Sequence, residues 1–177
     1  MKARRALRCW AALASLLALP ATISRADDWN DCILDVGTDD AIIAACTRAL
    51  TRRDLNEKAR ATVYNSRGSA RVETKDLAGA LADYTLAIEN EPTSGLHYSG
   101  RGEVYRRMKR FPEALADHDK AIALSRSGSA AIYYRRGLLY EDMGHQEDAI
   151  AEYGKAQEVA RYFGPVMDAL KRLGLAP

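Results

Sequence analysis

The sequence predicts an all-α protein, a right-handed α-solenoid of helix-turn-helix hairpins with a disulfide-closed hairpin at its start and a capping helix at its end. Two observations carry that reading. Gly68, Gly102 and Gly137 are separated by 34 and then 35 residues, and other residue types keep step with them. Ala80, Ala114 and Ala149 follow each glycine by 12 residues, Tyr84, His118 and Tyr153 by 16, and Ala87, Ala121 and Ala156 by 19. Tyr64, Tyr98 and Tyr133 stand four before it, and Arg71, Tyr105 and Tyr140 three after. The second observation is a pair of cysteines, Cys32 and Cys46, in a segment that copies half of one such unit.

Residues 1–26 read as a Sec-type export signal with cleavage after Ala26. Lys2, Arg4, Arg5 and Arg8 precede the apolar run "CWAALASLLAL" (9–19), and Ser24 and Ala26 are small enough for a signal peptidase. That run falls well short of the roughly 20 residues a membrane-spanning helix requires, so no stable span is expected after processing, and the alternative is a segment retained uncleaved as an anchor. The segment holds five of the 26 basic residues and none of the 24 acidic ones, so the remainder has 21 minus 24, or a net charge of −3. Charge therefore gives no reason to expect nucleic acid or an anionic membrane as partner. The expected location is periplasmic or secreted.

Removal of Cys9 with the signal leaves Cys32 and Cys46 as an even pair in an oxidising compartment, where a disulfide is expected. The alternative is two small buried side chains that only pack. Two thiols without a histidine at ligand spacing make no metal site, and no cofactor is expected. Within 27–55, "DDAIIAACTRAL" (39–50) copies a second helix, with Ile42, Cys46 and Ala49 in the places of Ala80, Tyr84 and Ala87. Thr38 is its N-cap after a turn at Gly37, and Cys32 sits on a short preceding helix.

The 34-residue period with small and aromatic residues in these places resembles the tetratricopeptide repeat, a helix-turn-helix unit. Units then fall at 61–94, 95–128 and 130–163, with one residue inserted in "SRSGS" (125–129). Departures are Arg71 for an aromatic, His118 for a bulkier residue, and a family proline kept only as Pro92. The physics is independent of the resemblance. Where two helices of a hairpin cross, glycine or alanine lets the backbones approach, and the tyrosines fill the space between hairpins. Pro112 suits the first turn of a second helix, and Glu113 and Glu147 suit its positive end. One hairpin cannot bury its apolar face, but three stacked and capped can. The cap over 164–177, "GPVMDALKRLGL", places Val166, Leu170 and Leu173 on one face, which brings the count to nine helices and no strands.

Arg67, Arg101 and Arg136 precede each glycine where the family more often has leucine. Each is followed 16 residues later by an acid, Asp83, Asp117 or Glu152, so an ion pair within every hairpin is expected.

The resemblance implies a concave groove lined by the first helices and a non-catalytic protein-protein interaction scaffold of the cell envelope, binding a peptide or helix of another protein. Groove residues carried over from the family are Thr62, Asn65, Ser69 and Val72 in the first unit. In the second they are Leu96, Ser99, Glu103 and Arg106, and in the third Ala131, Tyr134, Leu138 and Glu141. Leu96, Tyr134 and Leu138 form the candidate hot spot. A family subset clamps chaperone C-termini with two lysines, two asparagines and an arginine. Here Asn65, Ser69, Gly100 and Ala131 replace the first four, and Arg135 alone matches. Arg106 and Arg107 in "YRRMKRF" align with Glu141 and Asp142 one unit on and are expected to be neutralised there. No nucleophile elbow, phosphate loop or histidine pair suggests an enzyme. His97, His118 and His145 are explained by position. The alternative is a structural or peptidoglycan- or lipoglycan-binding envelope protein, and the expected state is a monomer or weak self-association.

Overall fold

The computed structural model describes residues 25–34, 37–125 and 129–175. The export signal expected over 1–26 lies outside them but for its last two residues, as do the final two residues of the expected cap. Nine helices follow in order among the described residues: α1 (Arg25–Ile33), α2 (Asp39–Ala49), α3 (Glu57–Glu73), α4 (Leu77–Asn90), α5 (Gly95–Arg107), α6 (Phe111–Leu124), α7 (Ala130–Asp142), α8 (Gln146–Val159) and α9 (Gly164–Arg172). No strand occurs among these residues.

Consecutive helices pair as α1 with α2, α3 with α4, α5 with α6 and α7 with α8, and each pair packs on the next. Cysteines 32 and 46 are joined as a disulfide, with their Cα atoms 4.8 Å apart and both side chains fully buried. They sit in a core with Ile42, Ala45 and Ala49 that Val63 and Ala70 of α3 complete. At the far end Val166, Ala169 and Leu170 of α9 close over Tyr153 and Ala156. The stack is an all-helical α-solenoid, closed by the disulfide hairpin at one end and by α9 at the other.

Local signals set the helix ends. Thr38, Asn56 and Asp76 accept from the backbone N–H groups of Ala41, Ala59 and Gly79, which caps α2, α3 and α4. The Asn56 cap starts α3 at Glu57, a turn before the unit boundary at 61. Within each repeated hairpin the turn has one geometry. The backbone N–H groups of Asp76, Arg110 and His145 donate to the carbonyls of Arg71, Tyr105 and Tyr140, five residues back. This closure requires a left-handed residue in between, supplied by Lys75 (φ 65°), Lys109 (φ 58°) and Gly144 (φ 79°).

The periodic glycines work by absence. A Cβ built on Gly68 would lie 3.2 Å from the Tyr84 ring, one on Gly102 3.0 Å from His118, and one on Gly137 2.4 Å from Tyr153. Each glycine thus gives its helix room against the bulky side chain 16 residues on.

The expected ion pairs form in all three hairpins. Arg67 donates from Nε and Nη2 to Asp83 at 2.9 and 2.7 Å, Arg101 to Asp117 at 2.7 and 2.9 Å, and Arg136 to Glu152 at 2.9 and 3.0 Å. Each guanidinium also lies 5.7 to 5.9 Å from the ring centre of the tyrosine three residues before it, Tyr64, Tyr98 or Tyr133. Two-pronged pairing suits burial, because it satisfies several polar atoms while the charges cancel. Arg71 joins the first pair, donating to Asp83 at 2.8 Å, which explains a cation where later units carry tyrosine.

Candidate functional site

The first helices approach one another directly, α3 on α5 and α5 on α7. They therefore line the inner side of the stack. A cavity of about 280 Å³ opens there, bounded by Ser69 and Val72 of α3, Glu103 and Arg106 of α5, and Tyr134 and Leu138 of α7. Six residues expected in the groove thus meet around one cavity.

The others lie elsewhere. Ser99 is wholly buried and accepts a hydrogen bond from Arg135 at 3.1 Å, so the expectation that it meets a ligand is corrected to a supporting role. Asn65 holds His97 at 3.1 Å across the interface between the first two repeats. Glu141 binds Arg172 of the cap at 2.8 Å. Leu96 is 55% exposed but is not part of the cavity wall. Thr62 donates to the Lys58 carbonyl of its own helix. Within the expected hot spot, Tyr134 packs its ring 5.9 Å from Tyr153 and 6.0 Å from Phe163, leaving Leu138 as its companion in the cavity.

Five further residues complete the wall, Glu73, Tyr84, Gly100, Arg107 and Arg135. Tyr84 reaches the floor from α4 because Gly100 leaves its ring uncovered; a Cβ there would lie 2.2 Å from it. Burial pushes the Tyr84 hydroxyl above its ordinary pKa, so it stays protonated. One unit on, the place of Gly100 is taken by Arg135 and that of Tyr84 by the shorter His118. The sequence signal was present, since Gly100 and Arg135 occupy the same place 35 residues apart and both fall at positions of the family's chaperone clamp, though not among the four groove positions taken in each unit.

Charge in the cavity is unevenly committed. Arg106 donates twice to Glu103 at 2.9 Å and also binds Asp142, and Arg107 donates to Glu103 at 2.8 Å and Glu73 at 3.2 Å. The expected neutralisation one unit on holds for Arg106 alone, because Arg107 turns back to Glu73. Burial works against the Glu103 charge, but the two guanidiniums outweigh it and hold its carboxyl below the ordinary range. Arg135 differs: its hydrogen bond goes to the neutral Ser99 hydroxyl, and among the described residues no carboxylate lies within ion-pair distance. The cavity thus presents one uncompensated guanidinium beside an aromatic and an aliphatic side chain.

Among the described residues no group of three or more His, Cys, Asp or Glu is placed to hold a metal ion, and no helix is long and apolar enough to cross a membrane.

Residues 94–161 match the tetratricopeptide repeat family. The small glutamine-rich tetratricopeptide repeat-containing protein 2 of Saccharomyces cerevisiae is 28% identical over 106 residues, 60% of this chain and 30% of its own length. The chain thus spans under a third of that relative. Among solved structures, the first repeat domain of Spaghetti (RPAP3) bound to the HSP90 peptide SRMEEVD superimposes with a TM-score of 0.60 at 24% identity, covering 67% of this chain and 94% of that one. YrrB, described as a repeat protein with an unusual peptide-binding site, gives 0.65 at 16% identity over 82% and 71% of the two chains. The matches thus show tetratricopeptide repeats over residues 94–161, and the three sequence copies and the stacked hairpins carry the same pattern back to residue 61.

Proposed function

We propose that the protein is a non-catalytic scaffold of the cell envelope that binds an extended peptide segment of another protein along α3, α5 and α7, with a ligand carboxylate over Arg135. The observation that carries this reading is the Arg135 guanidinium, held in the cavity by a neutral hydroxyl and flanked by Tyr134 and Leu138. A guanidinium so placed offers a carboxylate charge-assisted hydrogen bonds, while its neighbours offer apolar contact. Peptide binding by the RPAP3 domain supports the mode. The partner differs in kind from that chaperone tail, since Asn65, Ser69, Gly100 and Ala131 replace four of the five clamp residues.

Export to an oxidising compartment is part of the proposal. It is supported by the residue pattern of 1–26 and by the Cys32–Cys46 bond, since such bonds persist outside the reducing cytosol. Mass spectrometry of the protein from its native compartment should give a chain that starts at Asp27.

The binding reading is tested by panning phage-displayed random decapeptides over the immobilised protein and titrating the winners by fluorescence anisotropy. Acidic peptides that lose about tenfold in affinity on Arg135→Gln are expected. Winners indifferent to that substitution would overturn the reading.

A further inference from the structure

The inner face continues past the first repeat. A second hollow of about 250 Å³ lies between α2 and α3, with Ile42 and Ala70 as apolar floor and Asp39 and Glu73 as acidic groups. Ser69 and Glu73 border both this hollow and the central cavity, so the two form one trough. The hairpin that the disulfide closes therefore does more than seal the stack: its second helix supplies half of a subsite.

The trough is electrically polar along its length. At the α7 end stands Arg135, with no carboxylate within ion-pair distance. At the α2 end stands Asp39, for which no cation among the described residues lies within 4.0 Å, and Glu73, whose side chain is 58% exposed although Arg107 approaches it at 3.2 Å. Neighbouring helices pack about 8–10 Å apart, so the two helix-to-helix steps from α7 to α3 span roughly 16–20 Å. An extended peptide rises about 3.3–3.6 Å per residue, so five or six residues cover that span.

We propose that the protein selects an extended peptide carrying a lysine or arginine five or six residues from an acidic residue, the basic side chain seated between Asp39 and Glu73 and the acidic one over Arg135. This rests on the peptide-binding reading above and adds the partner's charge pattern. The aliphatic stem of lysine or arginine fits the Ile42 and Ala70 floor while its head meets the carboxylates. An acidic side chain at that end would face like charge, which fixes the orientation of the ligand.

The decapeptide selection reads this out separately. Winners should carry a basic residue five or six positions from the acidic one, and replacing that residue by norleucine should weaken binding to the wild-type protein about fivefold. The double variant Asp39→Asn, Glu73→Gln should weaken the parent peptide equally and leave the norleucine peptide unchanged. Asp39→Lys should restore tight binding to a peptide with glutamate in place of the basic residue. Peptides that need Arg135 but lose nothing with norleucine would overturn this inference and leave the peptide-binding reading standing. Peptides that do not need Arg135 would overturn both. If the double variant fails to fold by circular dichroism, the norleucine comparison on the wild-type protein decides alone.

Discussion

Lowering the pH should destabilise the protein through His118. Its ring is completely buried, and neither nitrogen has a hydrogen-bond partner. Burial, with further opposition from the charges of Arg135, Arg136 and Arg106 and partial relief from Glu103, brings its pKa down to about 3. In the unfolded chain the imidazole takes its proton near pH 6.5. The folded pKa lies below the unfolded one, so nothing is lost above about pH 6.5. Below it the unfolded state binds a proton that the folded state refuses, and stability falls until about pH 3. Each pH unit in that window costs about 1.4 kcal/mol, so some 3 kcal/mol is lost by pH 4.5. Other groups titrate in the same range, so a variant must isolate the effect. His118→Leu keeps nearly the same volume, cannot be protonated, and removes two unpartnered polar atoms, so it should be close to neutral or mildly stabilising at pH 7.5. Urea unfolding followed by circular dichroism at pH 7.5 and 4.5 should show the wild type losing about 3 kcal/mol more than the variant. Equal losses would refute the assignment.

Other substitutions test the frame. Asp83→Asn strands the Arg67 and Arg71 guanidiniums around a site that is 1% exposed and should cost about 3–5 kcal/mol in urea unfolding. Replacing Cys32 and Cys46 by serine reopens a short loop and should cost about 3 kcal/mol by the same assay, with the loss confined to α1 and α2 in hydrogen exchange. Gly100→Ala forces the Tyr84 ring aside and should cost about 1–3 kcal/mol. Its effect should couple to Tyr84→Phe far less than to Tyr84→Ala in a double-mutant cycle, because the clash is with the ring and not with the hydroxyl.

Much of the frame was legible because repetition turns one sequence into three aligned copies. Arg67, Arg101 and Arg136 pair with their acids on sequence alone, since a charge recurring on a buried helix face needs a recurring partner. Breaks in repetition were harder to interpret. Arg71 stands where an aromatic is expected, and only the fold brings it to Asp83 as a second cation. His118 looked like a packing substitution. Its shorter ring coincides with Arg135 in the place where Gly100 stands over Tyr84, a link between residues 17 apart that no periodicity announces. Ser99 was misjudged for a related reason: helical position gives the direction of a side chain from its axis but not the arginine that closes over it. Arg107 shows that an aligned acid one unit on, Asp142, can already be taken by its neighbour Arg106.

The central claim is that a partner docks on the inner face of the stack. Nuclear magnetic resonance of the isotope-labelled protein, titrated with a selected decapeptide, tests this residue by residue. Amide shifts should concentrate on Ser69, Leu138 and Arg135 and extend to Asp39 and Ile42. Shifts gathered instead on the outer helices α4, α6 and α8, with the inner face silent, would contradict the account.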